Sequence, residues 1–85
     1  MNNEEIQYEY YEFISPYNIL VVTNDGELIE ILCPFKVKAK VTYPEINAND
    51  FVWVQKVQTT PDRKDVFIID ENAYLVSYFQ IIIEL

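Results

Sequence analysis

From Phe35 to Tyr43 the chain alternates without a break. Val37, Ala39, Val41 and Tyr43 fall on one side of an extended strand, and Lys36, Lys38, Lys40 and Thr42 on the other, because successive strand side chains face opposite sides of a sheet. The stretch is therefore expected to be one half-buried strand, dry on one face and lysine-lined on the other, with the remaining strands arranged around it.

Composition points the same way. Isoleucine, valine, tyrosine and phenylalanine dominate, and these residues suit pleated, half-buried surfaces. Alanine occurs only at 39, 48 and 73, and Gly26 is the single glycine. The 51% hydrophobic content excludes general disorder, and 85 residues form one small β domain, 1–85, with a modest core.

Read in order, residues 1–14 form an acidic, tyrosine-rich first strand or arm, patterned over 4–14. Ile6, Tyr8, Tyr10 and Ile14 share one face, interrupted by Glu12, while Gln7, Glu9, Tyr11 and Phe13 share the other. Ile6, Tyr10 and Phe13 also stand near helical spacing, but the density of tyrosine favours a strand. Ser15-Pro16 ends it. Residues 17–23 and 27–32 flank Asn24-Asp25-Gly26, the strongest hairpin signal in the chain, with Gly26 free to take positive φ. Cys33-Pro34 closes the second arm. After the lysine-faced strand, residues 44–50 form a loop in which Asn47 and Asn49 tolerate positive φ. Residues 51–58 read as a central strand covered on both faces at one end, residues 59–65 as a polar loop and 66–69 as a short buried strand. Residues 70–73 are a turn or one turn of 3₁₀ helix. Residues 74–84 are the last strand, with Leu75, Phe79, Ile81 and Ile83 on one face and Tyr74, Val76, Tyr78 and Ile82 on the other.

Six to seven short antiparallel strands at this spacing predict an all-β small barrel or sandwich. From residue 35 onward, a long strand, two hairpin-connected strands, a short turn and a final strand resemble the SH3-like small barrel, which is the favoured form. That architecture hosts many functions and specifies none.

Charge is unevenly spread. Residues 1–30 hold seven carboxylates and no lysine or arginine, whereas residues 31–85 hold seven carboxylates against six bases. Direct nucleic-acid binding is disfavoured, because it rests on cations neutralising phosphates. A basic protein partner fits instead.

The inventory argues against enzymes. Histidine is absent, which removes the commonest general base and zinc ligand. One cysteine builds neither a disulfide nor a thiolate metal site, and one glycine cannot build a phosphate-cradling loop. Asp62/Asp65 and Asp70/Glu71 are expected to be solvated turn residues, and Cys33 a small buried hydrophobe. Phe51 and Trp53 are expected in the core, and the Lys36, Lys38, Lys40 stripe is expected to be a wet strand face that discourages edge pairing. No cofactor or metal is expected. The first five residues lack the basic start and apolar run of a secretory leader, and no segment is long enough to span a bilayer, so a cytoplasmic protein without membrane contact is expected. Scarce alanine and glycine beside abundant isoleucine, asparagine and tyrosine suit an AT-rich phage or bacterial genome.

Two readings remain open. One is a non-enzymatic acidic protein-binding module, an inhibitor or immunity-type protein whose carboxylates occupy the basic groove of a nucleic-acid-handling partner. Its contact residues would be Glu4, Glu5, Tyr8, Glu9, Tyr10, Tyr11 and Glu12, supported by Glu27 and Glu30. The other is an assembly protein, a homodimer formed through the apolar last strand at Tyr78, Ile81, Ile82 and Ile83.

Overall fold

The alternation around Val37 becomes a strand in the computed structural model, which describes residues 7–83. This strand, β4 (Phe35–Ala39), buries Phe35, Val37 and Ala39 and turns Lys36 and Lys38 outward. Nine strands occur among the described residues: β1 (Tyr8–Ser15), β2 (Asn18–Thr23), β3 (Leu28–Leu32), β4, β5 (Phe51–Val54), β6 (Lys56–Thr59), β7 (Asp65–Ile69), β8 (Asn72–Leu75) and β9 (Phe79–Ile81). They form three antiparallel sheets of three strands, ordered β1-β2-β3, β5-β4-β9 and β6-β7-β8. The all-β expectation holds, with the strands paired in three separate sheets and no closed barrel among the described residues. The strand count exceeds the expected six to seven because two long runs are broken.

Both breaks have the same cause: one straight strand cannot serve two sheets. Residues 51–58 split at Gln55, where the chain bends from β5, beside β4, to β6, beside β7. Gln55 N–H still bonds the Ile68 carbonyl at 2.9 Å. Residues 74–84, expected to be one strand, instead pass from β8 through a 3₁₀ turn at Val76–Tyr78 into β9. The turn carries the chain from β7 across to β4, and its Tyr78 carbonyl accepts the Lys40 N–H at 2.8 Å. The 3₁₀ geometry thus lies beyond the 70–73 segment. There Asp70 and Glu71, at φ 51° and 68°, make a two-residue hairpin turn.

β4 is also shorter than the alternation implied. Past Ala39, Tyr43 turns aside to meet the rings of Tyr74 and Tyr78, with centroids 4.9 and 5.4 Å away, and Val41 is left exposed. In the loop that follows, Ile46 is buried and Asn49 takes φ 75°, whereas Asn47 is not among the positive-φ residues.

A single core joins the three sheets. Phe67 of β7, fully buried, meets Phe35 edge-on at 5.5 Å, Phe79 at 5.9 Å and Phe13 of β1 at 6.5 Å. Ile19 and Val21 of β2 lie in the same cluster. Residues 8–14 are therefore part of a sheet packed on the core, not a separate arm.

Two hairpin loops are built alike. In Thr23–Glu27, Gly26 N–H bonds the Thr23 carbonyl at 3.0 Å, Thr23 N–H bonds the Glu27 carbonyl at 2.9 Å, and Gly26 sits at φ 90°. In Thr60–Lys64 the equivalent bonds are 2.8 and 2.9 Å, with Arg63 at φ 66°. In each, the threonine hydroxyl donates to an aspartate two residues on, Asp25 or Asp62, and accepts the last N–H of the loop at 3.0 Å.

Candidate functional site

The first sheet is apolar on both sides. Its inner side, Tyr11, Phe13, Ile19, Val21, Ile29 and Ile31, packs on the core. Its outer side is ordered in cross-strand rows. Tyr10, Val22 and Leu28 form one row, and Glu12, Leu20 and Glu30 the next. Asn18 and Leu32 follow, with Ile14 on the same side of β1. Leu28 is 68% exposed and Leu32 65%, too much for core leucines, and no lysine or arginine occurs in the chain before Lys36. The face is thus a set of uncovered aliphatic and aromatic side chains with two carboxylates across its middle. Glu30 is held in place, and Glu12 meets only a long contact. Asn18 Nδ2 donates to Glu30 at 2.6 Å, Ser15 Oγ donates to Asn18, and the Tyr10 hydroxyl donates to Glu12 at 3.4 Å.

A register shift explains which expected residues reach this face. Tyr8 pairs with Thr23 and Tyr10 with Val22, so β1 bulges between them and the two tyrosines face opposite sides. Regular alternation had put them together. Tyr10 and Glu12 stand outward with Glu30, Glu9 is exposed at the bulge, and Glu27 is exposed at the start of the β3 arm. Tyr8 and Tyr11 are turned inward and leave the expected contact set. The Tyr8 hydroxyl accepts the Ile81 N–H at 3.1 Å, and the Tyr11 hydroxyl donates to Asp65 at 2.8 Å. Burial, reinforced by Asp65, pushes the Tyr11 phenol far above its ordinary range. Glu4 and Glu5 lie outside the described residues. The face also holds Leu20, Val22, Leu28 and Leu32, which sequence reasoning missed. Their signal was visible, since residues 28–32 are apolar at both parities apart from Glu30.

The expected oligomer surface is changed too. Ile81 and Ile83 are buried in this chain's own core, Ile82 is half-buried, and Tyr78 packs on Tyr43. The apolar surplus that suggested a dimer is taken up within one molecule at Ile81 and Ile83, while Tyr78 remains exposed.

A second outward face lies on β4 and β5. Lys36 pairs with Trp53 and Lys38 with Phe51. Phe51 is 57% exposed and Trp53 51%, so neither is the core residue expected of it. Lys36 and Lys38 place their ammonium groups 5.4 and 6.0 Å from the centre of the Phe51 ring. Lys40 lies past the strand end. Between the two faces runs a groove of about 370 Å³ bounded by β3 on one side and by Lys36, Trp53 and Ile82 on the other.

The remaining candidates are structural. Asp65 accepts bonds from Tyr11 and Thr59, and Asp62 accepts one from Thr60 that holds its carboxyl below the usual range. Burial pushes the Cys33 thiol up, away from the thiolate a nucleophile needs. Among the described residues, no group of three or more acidic, cysteine or histidine side chains is arranged to hold a metal, and no helix is long and apolar enough to cross a membrane. Comparison with protein-family models, curated proteins and solved structures finds no match to this chain.

Proposed function

We propose that this chain is a non-enzymatic acidic protein-binding module, an inhibitor or immunity-type protein that engages a basic, nucleic-acid-handling partner through the outer face of β1, β2 and β3. The observation that carries the reading is the setting of exposed Leu28 and Leu32 beside the carboxylates Glu12 and Glu30, the latter held by Asn18, on a face without lysine or arginine among the described residues. Exposed apolar surface favours association, and carboxylates set among it select an arginine- or lysine-bearing partner and speed its approach. In this reading the carboxylates occupy a groove built for phosphates, in the cytoplasm, with no cofactor or metal. The segment β4–β9 is read as an SH3-like barrel carrying that sheet. The sheet orders β5-β4-β9 and β6-β7-β8, the bend at Gln55 shared between them, and the 3₁₀ turn before β9 support this. Homodimer assembly through the last strand is the weaker alternative, since Ile81 and Ile83 are core residues.

The test is capture from host lysate with stepped-salt elution. Wild type is compared with Glu12→Lys/Glu30→Lys and with Glu45→Lys/Glu71→Lys, which makes the same charge change away from the face. Wild type and the second variant should retain a basic protein that elutes at moderate salt, and the first should lose it. Equal capture by the first variant, shown by circular dichroism to be folded, would refute the reading.

A further inference from the structure

The ladder between β2 and β3 fixes which way each β3 peptide group points. Cys33 N–H bonds the Tyr17 carbonyl at 2.8 Å, and Thr23 N–H bonds the Glu27 carbonyl at 2.9 Å. Bonded and non-bonded pairs alternate in an antiparallel ladder, so the pairs between these two, Ile19 with Ile31 and Val21 with Ile29, are the bonded ones. Leu28, Glu30 and Leu32 therefore turn their N–H and C=O groups away from β2, along an edge where no backbone partner meets them among the described residues. Beside that edge lies the groove whose far wall carries Trp53 and Ile82.

Resting on the reading of this sheet as the recognition surface, we infer that the β3 edge takes an extended segment of the partner as a fourth strand. Its alternate residues on the outer side read apolar, lysine or arginine, apolar, opposite Leu28, Glu30 and Leu32. Charge complementarity selects this occupant. Glu30 sits at the middle of the open edge, fixed by Asn18, between two exposed leucines. A cation directly opposite Glu30 with aliphatic residues opposite the leucines satisfies all three positions. A second copy of this chain does not: antiparallel pairing centred on Glu30 sets two carboxylates against each other, and like charges directly opposite destabilise. The partner residues that point inward enter the groove beside Ile31, Pro34 and Trp53, which suits apolar side chains. Strand addition of this kind draws affinity from main-chain bonds and specificity from alternate side chains.

The probes are three short synthetic strand peptides, tested by NMR on the full chain. One carries valine at inward positions and leucine, lysine, leucine at outward ones. The second replaces its lysine with glutamate, and the third is N-methylated at the groups that would face β3. The lysine peptide should slow amide exchange of Leu28, Glu30 and Leu32 by tenfold or more and leave Ile29 and Ile31 unchanged. The glutamate and N-methylated peptides should bind at least tenfold more weakly, and Glu30→Lys should reverse the preference between lysine and glutamate. If the N-methylated peptide binds equally well, or those three amides stay unprotected in the complex, the ligand lies across the face and strand addition is overturned while the binding function stands. No peptide binding at millimolar concentration, with lysate capture intact, overturns this inference alone. Loss of both overturns both. Sedimentation showing a dimer whose β3 amides are protected would make a second copy the occupant and overturn the heterologous strand.

Discussion

The two outward faces either side of the groove expose apolar side chains to similar degrees and treat them differently. On β4 and β5, long lysine side chains lie beside Phe51 and bring their ammonium groups to its ring. Phe51 stays 57% exposed and Trp53 51% with the lysines in place, so the cations engage the ring without covering the face. On β1, β2 and β3 the charged residues are glutamates, Glu30 is bonded to Asn18, and Leu28 and Leu32 stay 68% and 65% exposed. Exposure alone therefore does not identify a binding face. What distinguishes the two is the charge set among the apolar side chains, cations against an aromatic ring on one face and carboxylates among leucines on the other.

The harshest challenge to the comparison is Phe67→Ala. Truncating this buried ring should cost about 3–5 kcal/mol, a large part of a small domain's stability. Urea denaturation and amide exchange should show Ile19 in β2 and Val37 in β4 losing protection together. If the first sheet keeps its protection, the two faces belong to separate folding units and the comparison fails.

A gentler pair of changes sharpens it. Phe51→Ala should cost about 1 kcal/mol through lost ring area and lysine contact, and leave partner binding intact. Leu28→Ala should change stability by less than about 0.5 kcal/mol and weaken the partner several-fold. Equal stability costs in urea titrations would erase the distinction between a ring engaged by lysines and a leucine set among carboxylates.

The twin turns compare one hairpin of the first sheet with one from the rest of the chain. Gly26→Ala should destabilise by about 1 kcal/mol, because its φ of 90° penalises a Cβ although nothing lies within 4 Å. Arg63→Gly should gain up to about 1 kcal/mol by relieving the same conformation, less the added freedom of the unfolded chain. Thermal melts of both variants should move in opposite directions.

The smallest effect is alkaline. The folded chain favours the neutral Tyr11 phenol, so that contribution is complete below the ordinary phenol pKa of about 10 and declines as pH rises above it. Urea midpoints from neutral pH into the alkaline range should fall more steeply for wild type than for Tyr11→Phe. Equal slopes would mean that the bond between the first sheet and Asp65 contributes nothing pH-dependent.

Much of the fold was legible because alternation is local. The strands around Val37, Val21 and Ile68 and the Gly26 hairpin could be read directly. The breaks at Gln55 and at Val76–Tyr78 could not, since each depends on which distant strand the chain must meet next. The β1 bulge was equally hidden, having no glycine to mark it, and it turns Tyr8 from the outward side to the inward one. Of the candidate face, the acids Glu12 and Glu30 were foreseen. The leucines beside them were not, because residues 27–32 read as a hairpin arm without a face being assigned to either parity. The shared Thr-x-Asp pattern at residues 23–25 and 60–62 was there to be read, and only its hydrogen bonds show that it builds the same turn twice.

Trp53 is the single tryptophan of the chain, half exposed on the wall of the groove opposite β3. Its indole is thus a built-in optical probe. Anything that fills the groove strips water from that ring and shifts its emission toward the blue, whereas a ligand confined to the outer rows of the first sheet leaves the spectrum unmoved.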